Sequence, residues 1–258
     1  MKVQRRHTHL LEIIRKSEKV SVEDLAASLN TSRETIRRDL TELAKSGKIQ
    51  KIHGGATLPR TYGEGPFQQR MSENVEGKMR IARTAAGLFL SGETLFIDTG
   101  STTLYFAEEI AKSSGLTVIT NSTEIARTIS LGNSNTRTYL LGGEYHPDNR
   151  QTVGAVVTEQ IRSFRAHHAV LTIGALDGRT GAMNYSIEEA QVARAMIEQS
   201  KSLTILVDQS KFNALASFEV CPLARIDRLV CDAPPPYALT AKLKAAGTDV
   251  FVSDQAKA

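Results

Sequence analysis

Two cysteines, Cys221 and Cys231, are all that the 258 residues contain. Neither falls in a CxxC or Cys/His pattern, so there is no zinc spacing and no disulfide framework, and both read as small core residues. Long apolar runs are missing too. Charges interrupt the hydrophobic residues near the N-terminus every few positions, so no secretory segment is expected, and nowhere is a stretch long enough to span a bilayer. The expectation is a cytoplasmic protein without a metal site or cofactor. Acidic residues are scarce in one region only. Residues 1–60 hold 7 Asp+Glu against 13 Lys+Arg, a balance of +6, while the remainder holds 21 against 19, a balance of −2. A positive field confined to the N-terminal quarter is what attraction to a phosphate backbone requires.

Within that quarter, residues 31–45 read as a helix with one apolar stripe, Ile36, Leu40 and Leu43. Thr31 is placed to cap its start, and Glu34 three residues on would complete a capping box. Arg37, Arg38, Thr41 and Lys45 fall on or beside the opposite face, where long donors suit phosphate oxygens and the acceptors of guanine. Residues 20–29 place Val22, Leu25, Ala26 and Leu29 at helical spacing, and Asn30-Thr31 supplies the polar break of a helix-turn-helix. A first helix over residues 6–16 adds Leu10, Leu11, Ile13 and Ile14 to the same small core. Gly47 ends the basic helix, and residues 48–58, with the Gly54-Gly55 turn, read as a two-stranded wing. A three-helix packing domain with a solvated charged face would not explain why capped basic helix, turn and basic wing come in this order. Candidate DNA contacts are Ser32, Arg33, Thr35, Arg37, Arg38 and Thr41 on the helix, and Lys48, Lys51 and His53 in the wing.

The length suits one small and one ordinary domain. The expected division is 1–58, a linker at 59–70 rich in proline and glycine, and a second domain at 71–258 that opens on a helix over residues 78–90. From there strands and amphipathic helices alternate, the signature of a parallel α/β sheet. Strands are expected at 94–97, 117–119, 138–141, 169–173 and 203–207. Polar or glycine-rich turns follow at 98–103, 120–122, 142–143, 174–178 and 208–211, and ligands in such sheets bind at these carboxyl ends. The first turn, Asp98-Thr-Gly-Ser-Thr-Thr103, joins a glycine, three hydroxyl residues and a helix start, the parts of an anion cradle. A helix cap would use the same residues. Lys211 would add a full positive charge.

Asp98-Thr-Gly-Ser101 also resembles the catalytic turn of aspartic proteases. That chemistry needs two carboxylates sharing a proton on an all-β scaffold, and no second Asp-Thr-Gly occurs. The chain as a whole resembles the DeoR family of bacterial transcription regulators. The likeness runs through Val22-Glu-Asp-Leu-Ala26, Ser32-Arg-Glu-Thr-Ile-Arg-Arg-Asp-Leu40, His53-Gly-Gly-Ala56, Phe67-x-x-Arg70, Lys78-x-x-Ile81-Ala82, Asp98 to Thr103, Thr120-Asn-Ser122 and Asp208 to Phe212. It implies a winged helix-turn-helix joined to a larger parallel-sheet α/β sensor similar to ribose-5-phosphate isomerase. Such a protein represses a carbohydrate-utilisation operon and responds to a phosphorylated sugar or polyol. Its implied partners are operator DNA, the sugar phosphate and further copies of itself, as a dimer or tetramer.

Carried over by position, Asp98, Gly100, Ser101, Thr102 and Thr103 would surround the phosphate, and Asn121, Gly143, Asp177, Glu189 and Lys211 the sugar. The isomerases follow their Asp-Gly element with a loop of the type Lys-Gly-x-Gly-Gly, where this chain reads Arg179-Thr-Gly-Ala-Met-Asn-Tyr-Ser186. Glu188 or Glu189 would lack a partner lysine as a general base, so binding without turnover is expected. The alternative is an isomerase-like sugar-phosphate enzyme carrying a DNA-binding arm.

Overall fold

The computed structural model describes residues 3–17, 20–45, 49–52, 54–57, 65–112, 115–132 and 135–253. The chain separates into two compact units, residues 1–62 and 63–258. Expected features at Gly47, Lys48, His53 and residues 58–64 lie outside the described residues.

In the first unit, α1 (Val3–Lys16), β1 (Val20–Ser21), α2 (Val22–Ser28), α3 (Arg33–Lys45), β2 (Gln50–Ile52) and β3 (Gly55–Thr57) follow in order. Leu10 and Ile14 of α1, Leu25 of α2, and Ile36, Leu40 and Leu43 of α3 are buried together, so the helical spacing of the sequence translates directly into one core. The wing has three strands rather than two, in the order β1-β3-β2, because Val20 pairs with Ala56 across from Lys51. A two-residue strand leaves too little period to be seen in the sequence. The close approach explains Gly55: a Cβ there would sit 2.2 Å from the carbonyl oxygen of Val20. The helix start also differs from expectation. Ser32, not Thr31, caps α3, its Oγ accepting from the Thr35 amide at 3.2 Å, while the Thr31 hydroxyl turns back to the Leu29 carbonyl at 3.1 Å. With the cap one residue later, Glu34 falls out of the capping-box position.

The second unit opens with α4 (Phe67–Ser72), which occupies the end of the expected linker. Phe67 is buried in the core, and that anchor makes the segment part of the domain. Next come α5 (Val75–Ala86), β4 (Thr94–Ile97), α6 (Ser101–Ile110), β5 (Thr117–Thr120), α7 (Thr123–Leu131) and β6 (Arg137–Leu140). Helix α5 starts three residues before the expected position and ends at Gly87, leaving Leu90 exposed. A hairpin of β7 (Glu144–His146) and β8 (Gln151–Val153) precedes α8 (Ala155–Arg162) and β9 (Ala166–Leu171). Then follow β10 (Ala175–Asp177), β11 (Gly181–Asn184), α9 (Ile187–Glu198), β12 (Ser200–Val207), β13 (Phe218–Cys221), β14 (Arg228–Cys231), α10 (Tyr237–Ala245) and β15 (Asp249–Val252).

Seven of these strands form one parallel sheet in the order β15-β14-β12-β9-β4-β5-β6. Its middle strands are apolar on both faces, as a sheet covered on both sides demands. In β4, Leu95 and Ile97 face a core with α5 and α6, and Phe96 faces the other, with α8 and α9. The five expected strands are the five contiguous members from β12 to β6. Strands β14 and β15 went unexpected: each is four residues long, and β15 is half exposed, so neither shows a long apolar run. Residues 172–173 are loop rather than the end of β9. The segment 174–178, expected as a turn, contains β10, paired with β11 in a small antiparallel sheet. Cys221 and Cys231 are buried, and burial pushes both thiols up to about 12. No helix among the described residues is long and apolar enough to cross a membrane.

Candidate DNA interface and sensor cleft

Helix α3 turns Arg33, Arg37 and Arg38 outward. Arg33 lies 3.7 Å from Glu23 and Arg37 3.7 Å from Glu34, loose exposed pairs that contribute little. Arg38 has no acidic partner among the described residues and projects near the middle of the polar face. Ser32 and Thr35 share a hydrogen bond at 2.9 Å, so their hydroxyls serve the helix start first. Lys51 reaches from β2 to donate to the Thr41 hydroxyl at 3.1 Å, and that hydroxyl donates to the Arg37 carbonyl at 2.7 Å. The wing is thereby tied to the exposed face of the helix.

Opposite that face lies a residue that the apolar pattern did not reveal. Asp39 is only 4% exposed, yet it is a carboxylate. Arg6 of α1 grips it through Nε at 2.5 Å and a second guanidinium nitrogen at 3.0 Å, and His7 Nε2 approaches to 3.1 Å. Burial alone would raise the Asp39 carboxyl, but these bonds more than offset it and hold it below the usual carboxylate range.

In the second unit the parallel strands deliver their following loops to one edge. Asp98 directly follows β4, and both its carboxylate oxygens accept from the Thr172 amide, at 3.0 and 3.1 Å. Gly100 is required by the same approach, since a Cβ there would stand 2.2 Å from Thr172 Oγ1. Thr103 is fully buried and donates to the carbonyls of Asp98 and Gly100, so its hydroxyl holds the loop rather than a ligand. Ser101 and Thr102 are buried at the start of α6, whose first helical bond runs from the Leu104 amide to Gly100. The three preceding amides, of Ser101, Thr102 and Thr103, are those that a helix start leaves without partners inside the helix. Asn121 ends β5 and is locked to β8, donating to the Thr152 carbonyl at 2.9 Å.

Asp98, Asn121 and Glu189 line one cleft with Thr99, Gln151, Thr172 and Asn184, about 320 Å³ including the space open to solvent. Glu189 Oε1 accepts from Asn149 and Gln151, each at 2.8 Å, and Arg70 donates to the same Asn149 at 3.0 Å. Three of the residues expected around the sugar, Asp177, Gly143 and Lys211, are not among those lining this cleft. Asp177 Oδ1 accepts from the amides of Arg179 and Thr180, closing the hairpin beside Lys242, and these bonds lower its carboxyl. Gly143 packs against Val157 and Val153 in the turn after β6.

Lys211, half-buried on the single turn Gln209–Lys211, is not among the cleft-lining residues either. It lies close enough to Lys78 for the two charges to act on one another. Lys78 is 3% exposed, donates to the Arg70 carbonyl and makes no ion pair among the described residues. Burial pushes its ammonium down, Lys211 and Arg70 push the same way, and Asp208 and Glu73 oppose them. In the sequence, Arg70 and Lys78 stand only as members of the motifs Phe67-x-x-Arg70 and Lys78-x-x-Ile81-Ala82, with no role attached. A helical wheel places Lys78 on the face of buried Ile81, Ala82 and Ala85, and a lysine on such a face is the available signal.

Residues 6–61 match the DeoR-like helix-turn-helix domain and residues 73–233 the DeoR C terminal sensor domain. The chain belongs to the DeoR family. This DeoR-family chain is 34% identical to the glycerol-3-phosphate regulon repressor of Escherichia coli (strain K12), over 93% of its own length and 94% of the relative's. It is 28% identical to the HTH-type transcriptional repressor CsqR of the same organism, over 97% and 95% of the two chains. It is 29% identical to the HTH-type transcriptional repressor GlcR of Bacillus subtilis (strain 168), over 95% of each. Among solved structures, ribose 5-phosphate isomerase A from Methanocaldococcus jannaschii superposes with a TM-score of 0.40 at 16% identity, covering 54% of this chain and 55% of that one.

Proposed function

We propose that this DeoR-family protein represses a carbohydrate-utilisation operon through operator DNA, and that a phosphorylated sugar or polyol modulates its binding. Helix α3 enters the major groove, with Arg38 reading base edges and Arg37 and Lys51 holding phosphates. In the second unit, the cleft between Asp98 and Glu189 offers acceptors to hydroxyl groups. The anionic end of the ligand belongs with Lys78, Lys211 and the amides at the start of α6. The observation that carries the ligand reading is Lys78: a buried ammonium without a paired carboxylate costs stability that an anionic ligand would offset.

Glu189 is held by two amide side chains and Asp177 by its own turn, which favours binding without turnover over the isomerase reading. One winged helix reads only a few base pairs, so useful specificity calls for two or more copies on repeated half-sites and a homo-oligomer, dimer or tetramer, as the working form. A thermal-shift panel of phosphorylated sugars and polyols with their unphosphorylated forms tests this reading. A phosphorylated compound raises the melting temperature, its unphosphorylated form does not, and neither is consumed. Equal shifts from both forms would remove the phosphate site, and product formation would restore the enzyme reading.

A further inference from the structure

The burial of Asp39 in the helix proposed to read DNA is unexplained by stability alone. Positions 36, 40 and 43 of α3 are filled by apolar side chains, and position 39 lies on the same buried face. A buried ion pair is often replaced by apolar residues without loss of stability, so its use here calls for another reason. Apolar contacts fix how deep a helix sits but resist rotation about its axis weakly, because Ile and Leu slide. A forked guanidinium–carboxylate pair has one geometry. Arg6 supplies that fork from the first turn of α1, and His7 adds a third donor from the next position. At about 100° per residue, Arg38 and Arg37 stand roughly 100° and 200° around the helix from Asp39, so its placement sets theirs. On a helix about 5–6 Å in radius, a 20° roll moves a surface group by about 2 Å. That displacement exceeds the tolerance of roughly 0.5 Å within which a binding constellation works.

We propose that Asp39, clamped by Arg6 and His7, is a positioning residue for DNA readout, fixing the roll of α3 so that Arg38 meets base edges. The proposal rests on the DNA-binding function proposed above. The clamp governs discrimination between sequences more than affinity for DNA as such, because phosphate contacts tolerate displacement and bidentate base contacts do not.

The test uses the full chain and two 30-base-pair duplexes, one bearing the site that the parent protein selects from a random pool, the other the same bases scrambled. Failure of the parent to select any site would sink the DNA-binding reading itself and leave the clamp without a role in readout. Three variants are compared: Arg6→Lys, which keeps the charge but loses the fork, the double variant Arg6→Met/Asp39→Leu, which replaces the pair by apolar groups, and the exchange Arg6→Asp/Asp39→Arg. The expected result is a melting temperature near the parent's in the first two, with the selected-to-scrambled affinity ratio reduced at least tenfold and affinity for the scrambled duplex little changed. Partial recovery of the ratio in the exchange variant adds support. Three results would overturn the proposal. Unchanged discrimination in the apolar double variant makes the pair dispensable to readout. Equal losses on both duplexes with a shallower salt dependence make Arg6 a phosphate contact. Unfolding of both Arg6→Lys and the double variant makes the pair a stability element only.

Discussion

The polar residues proposed to meet partners are held in opposite ways in the two units. Arg37, Arg38 and Lys51 stand exposed on a frame of three helices and a small sheet, while Asp98 and Asn121, which follow parallel strands, and Lys78 on α5 are buried and already bonded to backbone. The difference follows from the partners proposed. A duplex is a long polyanion met at a surface, so its donors must reach outward and can remain solvated until contact. A small phosphorylated ligand must be enclosed before a few hydrogen bonds can hold it, so its site is preorganised by bonds made within the protein. The exposed surface has charge to spare, whereas in the cleft each side chain serves the fold as well.

The largest effect that would sharpen this contrast lies in the buried site. Lys78→Met or Lys211→Met should weaken binding of the phosphorylated compound that gives the largest thermal shift by roughly 10- to 150-fold, the equivalent of about 1.5–3 kcal/mol for a charge-assisted hydrogen bond. Affinity for DNA without the compound should stay within twofold. Calorimetry checks the first and a binding titration the second; loss of DNA affinity in either variant would break the separation between the two sites. On the exposed side, Arg38→Ala should cost about 1–3 kcal/mol on the selected operator and relax the preference for it, as titration against scrambled DNA would reveal. Equal losses on both duplexes would reassign Arg38 to the phosphates.

Lys51→Ala should have a smaller effect, alike on every sequence, with the slope of log affinity against log salt shallower by about 0.9. The smallest concerns acid. Asp39 has a folded pKa below its unfolded value of about 3.9, so its contribution to stability is complete above that value and lost as pH falls through the folded one. Melting temperatures of the parent and Asp39→Asn, followed from pH 6 downward, should therefore converge below about pH 4, the variant being the less stable at neutral pH. A constant difference across that range would mean that Asp39 is not charged in the folded protein.

What the sequence made legible follows the same contrast. The exposed site is local: thirteen consecutive residues of α3 hold both its apolar stripe and its cations, so spacing alone places Ile36, Leu40 and Leu43 inward and Arg37 and Arg38 outward. The cleft is not local. Asp98, Asn121 and Glu189 reach one cleft from the loops after β4 and β5 and from α9, and only the family resemblance, not spacing, grouped them beforehand. Asp177 and Gly143, carried over by the same likeness, are not among the residues lining that cleft; Asp177 stands two residues before free amides and closes its own turn. Gln151, Asn149 and Thr172 escaped notice, since neutral side chains and a backbone amide carry no signature in a linear chain. Asp39 falls between Ile36 and Leu43 on the buried face, and helical spacing gives its charge no partner because Arg6 lies 33 positions earlier.

The contact between Gly100 and Thr172 binds the history of two distant positions together. With Thr172 in place, an alanine at 100 would put its methyl carbon 2.2 Å from the threonine oxygen and 3.1 Å from its Cβ, so that change is blocked at the first step. Were position 172 first reduced to glycine, the oxygen and the Cβ would both be gone, and of the three nearest atoms the Thr103 hydroxyl, 3.1 Å from the new methyl, would remain to give way. A side chain at 100 is therefore easier to place after 172 has become small than before. Descendants that carry one should be found mostly where 172 has already lost its branched side chain.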